Sequence, residues 1–161
     1  MKKIITAIIM IVLVFLDQLF KVLSIKYLLP ADSINLINGI LQLNYVENTG
    51  AAFGLFKGNT LVLSVFTTAI IIFCLYYIFV KTFDKLIYNV SLVMIVSGGI
   101  GNLFDRFYRG FVVDYIEVLF IKFPVFNFAD MLVTVGSFLL VIYMIYEIIA
   151  HKDSDGVKKD A

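Results

Sequence analysis

Few side chains are available for chemistry in this chain. Of 161 residues, one is histidine, one is cysteine and only 16% are charged. The only histidine, His151, stands in the polar C-terminal tail, so a nucleophilic triad elsewhere in the chain has no base to build on. No cluster of His, Cys, Asp and Glu has the spacing of a metal site, so neither metal nor cofactor is expected. Cys74 has no partner for an intramolecular disulfide. It also lies in an apolar run, where burial raises a thiol's pKa and argues against a reactive cysteine. The net charge of +1 leaves no basic surface for nucleic acid. The glycines at 98, 99 and 101 lack the strand–turn–helix setting of a phosphate loop and read as helix-packing contacts.

What the chain has in excess is hydrocarbon. It is 61% hydrophobic, with a mean hydropathy of +1.00, well above an ordinary soluble domain. Four segments reach the roughly 20 apolar residues that a membrane span needs. They run from about Ile4 to Leu29, from Leu61, from about Leu86 to Phe104, and from Met131. The basic, then apolar, N-terminus resembles a signal peptide, but the apolar stretch continues without a small-residue cleavage site and reads as a first helix that stays attached. Lys2, Lys3, Lys81, Lys85, Lys152, Lys158 and Lys159 fall on one side of an alternating bundle. That side is expected to be cytoplasmic, with both termini there. Lys57, Arg106, Arg109 and Lys122 fall on the other.

The expected fold is therefore an all-α membrane bundle. It has four transmembrane helices, a small extracytoplasmic β-element and an interfacial segment between helices three and four. Residues 1–150 form a single integral-membrane domain, and 151–161 a polar tail expected to be disordered. The β-element is read from the alternation at Leu41, Gln42, Leu43, Asn44 and Tyr45, followed by small residues at Gly50, Ala51, Ala52 and Gly54. The connection from about Asp105 to Phe128 is too apolar for a solvated loop. Its Phe111, Val112, Val113, Tyr115, Ile116, Leu119, Phe120 and Phe123 are expected to dip into the interface.

The polar residues in this setting each need a reason. Asp114 ("GFVVDYIE") and Asp130 ("FNFAD") are remote on the chain, but the connection between them is short enough to fold back. Alone, either is a surface carboxylate, and Asp130 would also suit the positive end of the fourth helix. Together in a low-dielectric site they cannot both ionise easily, which leaves one base and one acid. Such a pair can activate water against an amide. Asp105 and Arg106 read either as interfacial charges or as supports of the site backbone. Asp17 and Lys21, four apart, share a helix face and read first as a structural ion pair; a proton relay is the other reading. Asn48 suits a turn and Asn127 a helix N-cap, and either amide could hold a carboxylate or bind substrate backbone.

The blocks "DQLFK" (17–21), "NTGAAFG" (48–54), "GNLFDR" (101–106), "VVDYI" (112–116) and "FNFAD" (126–130) come in order over nearly the whole chain. In these blocks the chain resembles the bacterial lipoprotein signal peptidase (signal peptidase II) family. The resemblance implies a membrane aspartic endopeptidase with Asp114 and Asp130 catalytic. It makes Asn48, Asn102, Arg106 and Asn127 supporting or substrate-contacting, and leaves Asp17, Lys21 and Asp105 structural. The implied substrate is a prolipoprotein, cut just before a lipobox cysteine that already bears diacylglycerol. Membrane lipids are the other expected partners, and one chain holding both acids implies a monomer. The implied place is the bacterial plasma membrane, with the site near the extracytoplasmic surface. The apolar segment 114–123 is then a candidate cover over the site. The alternative is a small four-helix proton-coupled transporter with Asp17 as coupling carboxylate.

Overall fold

In the computed structural model, which describes residues 2–31, 33–50, 58–81 and 85–157 (without side chains at 2 and 151–157), four long helices carry a small sheet at one end. Helix α1 is Lys2–Tyr27, α2 is Thr60–Tyr76, α3 is Leu86–Tyr108 and α4 is Phe128–Val157. A π-helical turn, Tyr77–Lys81, extends α2. All four helices are long and apolar enough to span a membrane. The run at 51–54 and Lys57 lie outside the described residues, as do 158–161; the expected tail begins within the last turns assigned to α4.

Helix α3 is the hub. It packs on α1, α2 and α4 and is the most buried span. The buried positions of α1 and its C-terminal turn, Met10, Asp17, Lys21, Ser24 and Leu28, recur every three, four or seven residues and make one stripe. That stripe is apolar at Met10 and polar from Asp17 to Ser24, so α1 delivers charge only to its C-terminal half. The outer faces carry Ile8, Phe15, Val65, Ile72, Phe138 and Ile145, all exposed, as suits side chains bathed in lipid.

Small residues set how closely α3 approaches its partners. A Cβ on Gly98 would stand 2.3 Å from the Ala129 carbonyl oxygen, and one on Gly101 would stand 2.4 Å from Asp17 Oδ2. The packing role expected for these glycines is therefore met at van der Waals contact with α4 and α1.

The sheet is antiparallel, in the order β1 (Ser33–Ile37), β2 (Leu41–Asn48), β3 (Val112–Val118). The hairpin expected from the alternation at 41–45 is present. The segment expected to dip into the interface is different in part. Its first half is β3, with Val112, Val113 and Tyr115 buried inside the protein, while Leu119, Phe120 and Phe123 are exposed. Two-fold hydrogen bonding between Ile116 and Phe126 (2.8 and 3.0 Å) turns the chain back beside β3. The candidate cover at 114–123 is thus anchored through its first five residues by sheet pairing with Val46, Leu43, Gln42 and Leu41. That pairing holds Asp114 in a strand.

Replacing Gly98 with alanine forces a methyl group into the Ala129 carbonyl, and α4 must shift or α3 bend. The expected loss is about 1–3 kcal/mol, typical of overpacking, read as a lowered Tm in detergent. An unchanged Tm would contradict the close α3–α4 crossing.

Candidate active site

The sheet and the start of α4 bring the two remote acids to one asparagine. Asn127 Nδ2 donates to Asp114 Oδ1 at 2.6 Å and also lies 3.1 Å from Asn102 Oδ1 and 3.3 Å from the Val113 carbonyl. The same residue caps α4: its Oδ1 accepts from the Asp130 backbone N–H at 2.9 Å, and Asp130 Oδ2 accepts from the Asn127 N–H at 3.1 Å. This reciprocal pair is a capping box with aspartate in the third helical position. The N-cap expected at Asn127 and its carboxylate-holding role are therefore both present. The second oxygen of each acid has a donor too. Asn48 Nδ2 donates to Asp114 Oδ2 at 2.8 Å, and Asn102 Nδ2 donates to Asp130 Oδ1 at 2.7 Å. Asn48 also keeps its turn role, accepting from the Gly50 N–H at 2.9 Å.

The first four N–H groups of a helix have no partner within it. At α4 every one is met by a residue of this cluster. The Asn127 and Asp130 groups are paired by the capping box. Phe128 N–H donates to Tyr115 Oη at 3.2 Å and Ala129 N–H to Asp17 Oδ1 at 3.1 Å.

Behind the acids lies a buried ion cluster. Lys21 is fully buried, and its ammonium has three donors. These reach Asp17 Oδ2 at 2.9 Å, Asp105 Oδ2 at 3.0 Å and Asn102 Oδ1 at 2.9 Å. Asp105 Oδ2 also accepts from the Val113 N–H at 3.1 Å, and its other oxygen pairs with Arg109. The ion-pair reading of Asp17 and Lys21 fits this geometry, and every oxygen of Asp17 is held by the protein itself. Asp105 is buried, so its reading as an interfacial charge is corrected: it joins β3 to α3 and α1. Arg106 also points inward, with Nη2 3.3 Å from the Gly50 carbonyl and Nη1 3.4 Å from that of Asn102. It steadies the backbone just after Asn48.

All nine residues singled out in the sequence thus fall in one contiguous network. Three more belong to it. Gln18 Nε2 donates to Asp17, the Gly101 carbonyl and Asp105. Arg109 bonds Gln18 and Asp105, and Tyr115 caps α4. Gln18 and Arg109 carried a signal: one is a polar residue beside Asp17 in an apolar run, the other stands four beyond Asp105. Tyr115 carried none, because its role depends on where α4 begins.

Asp114 is 1% exposed. Burial, and after it the neighbouring Asp130 carboxylate, pushes its carboxyl up to about 7, while the amides of Asn48 and Asn127 and the charge of Lys21 pull it down. The arrangement offers a carboxyl that holds a proton near neutrality next to a second carboxylate. Among the described residues no group of three or more His, Cys, Asp or Glu is placed to hold a metal ion.

The family described as signal peptidase (SPase) II matches residues 9–146. A lipoprotein signal peptidase of Caldanaerobacter subterraneus subsp. tengcongensis is 45% identical over 135 residues, covering 83% of this chain and 91% of that protein. Another, of Clostridioides difficile, is 40% identical over 141 residues, covering 86% and 93%. A bacterial membrane enzyme solved at 2.3 Å resolution superposes with a TM-score of 0.83 at 28% identity, over 89% of this chain and 88% of that one.

Two measurements check the site. Replacing Lys21 with methionine leaves the buried Asp17 carboxylate without a cation and Asp105 with Arg109 alone, and is expected to cost about 3–5 kcal/mol; a loss under 1 kcal/mol would contradict the cluster. The infrared carboxyl band of Asp114 is expected to titrate near pH 7, and Asn48→Ala is expected to move that midpoint upward. Since the folded state holds this proton more tightly than the unfolded chain, Asp114 costs the fold nothing below about pH 4 and weakens it progressively as pH rises to about 7. A midpoint in the ordinary aspartate range would overturn the assignment.

Proposed function

The chain belongs to the signal peptidase II family, aspartic peptidases of the membrane, and from that premise we propose that Asp114 and Asp130 are its catalytic pair. The observation that carries this reading is the bridging of the two acids by Asn127, a residue bonded to both. Two carboxyls so placed share one proton in the resting enzyme. The ionised member takes a proton from water as the oxygen attacks the scissile carbonyl. The protonated member donates to the developing oxyanion, and the leaving nitrogen is protonated as the amide C–N bond breaks. Asn48, Asn102 and Asn127 fix the carboxyl planes. Arg106 lends positive charge to the site and holds the backbone at Gly50, and Asp17, Lys21 and Asp105 support the frame.

The substrate is a prolipoprotein, and the proposed cut falls just before a lipobox cysteine carrying diacylglycerol. Such a substrate stays in the bilayer, so it enters sideways from lipid, and a single chain suffices because it holds both acids. The polar cluster lies at the end of the bundle that carries the sheet. The lysine bias puts the other end, with both termini, in the cytoplasm; the site then faces the extracytoplasmic surface of the plasma membrane. Residues 1–150 act as one peptidase domain.

Asp114→Asn and Asp130→Asn are each expected to lower kcat/KM on a diacylglyceryl-modified prolipoprotein by ~10³-fold or more, with helicity and membrane insertion retained. Measurable cleavage by either variant at near wild-type rate would contradict the pair. The unmodified twin of the substrate is expected to be cleaved far more slowly; equal cleavage would remove the lipid requirement. Activity is expected to fall as pH rises through about 7, when the pair loses its shared proton.

A further inference from the structure

A second acid sits on the α3–α4 seam at the end remote from the sheet. Glu147 lies on α4 within the fourth span, seventeen positions beyond Asp130 and therefore about 25 Å along the helix axis. Both its oxygens are held by tyrosines: Tyr88 Oη donates to Oε2 at 3.0 Å and Tyr143 Oη to Oε1 at 2.9 Å. The two rings meet edge to face at 4.9 Å. An open recess lies here, lined by Tyr88, Met144, Glu147 and Ile148.

A carboxylate inside a span is costly and calls for a partner. Two hydroxyl donors leave a carboxylate with further acceptor capacity. Lys3, a base of the same terminal side, is bonded to the Phe79 carbonyl at 2.7 Å. Carboxylate and tyrosine faces together favour a cationic guest.

Resting on the substrate and orientation proposed above, we infer that Glu147, Tyr88 and Tyr143 form a subsite for a basic side chain in the n-region of the signal peptide. The length agrees. A signal peptide of 15–30 residues has a basic n-region before its apolar core. A helical peptide with its cleavage site at Asp114 and Asp130 therefore reaches the level of Glu147 some 17 residues upstream. The seam thus reads both ends of one substrate: the scissile bond at the sheet end, the charge at the other.

The test measures kcat and KM on a diacylglyceryl-modified prolipoprotein with two n-region lysines and on a twin with both replaced by glutamine, in vesicles with and without phosphatidylethanolamine. Wild type is expected to show about a fivefold lower KM for the basic substrate. Glu147→Gln, which removes the charge and keeps one oxygen to accept from a tyrosine, is expected to abolish that preference while leaving kcat and the glutamine twin unchanged, and Tyr143→Phe to weaken it. An equal loss on both substrates would reduce the cluster to a helix clamp and overturn the inference. So would no change on either, or an effect of Glu147→Gln that follows phosphatidylethanolamine instead of the n-region lysines. Wild type cleaving both substrates with equal KM defeats only this subsite; wild type cleaving neither defeats the proposed function itself.

Discussion

The buried ammonium of Lys21 is the constraint from which the rest of the molecule can be followed. A charge removed from water must find ionic or hydrogen-bonding partners for every donor. Here those partners are Asp17 on the same helix and Asp105 and Asn102 on α3. Each partner is then bonded onward, to α4 or to β3. Asp17 holds the first turn of α4, Asp105 holds the start of β3, and Asn102 holds Asp130. One cation therefore ties together α4 and β3, the two elements whose relative position decides where the two acids stand.

The site also makes use of a defect common to all helices. The exposed N–H groups at the start of α4 have to be satisfied, and the residues that satisfy them are those that hold the acids. Asn127 is at once cap, bridge and donor. This economy explains why Asp130, which would by itself favour a helix N-terminus, is kept in a fixed orientation, while Asp114 is raised toward neutrality by burial and by its neighbour. Structure and acid–base chemistry are the same set of bonds.

Much of this was legible in the sequence. The four spans follow from run length, and the hairpin from the alternation at 41–45. The Asp17–Lys21 pair follows from helical spacing in an apolar segment. The candidate residues could be named because polar groups are rare enough in this chain for each to stand out. Other features needed the fold. The segment after Asp105 reads as interfacial because Val112, Val113 and Tyr115 look like membrane-facing residues, yet a third strand buries them against protein. The capping role of Tyr115 depends on where α4 starts. The Glu147 cluster has no signal in the sequence either, because Tyr88 and Glu147 are far apart on the chain and join only where α3 meets α4.

The central claim is that acids from β3 and α4 act on one oxygen atom. The most direct test is a crystal structure of the enzyme bound to a substrate-like peptide in which a tetrahedral hydroxyl replaces the scissile carbonyl. The hydroxyl is expected within about 2.6–3.2 Å of a carboxyl oxygen of both Asp114 and Asp130. A hydroxyl bonded to only one of them, with the other turned away beyond hydrogen-bond reach, would contradict the account.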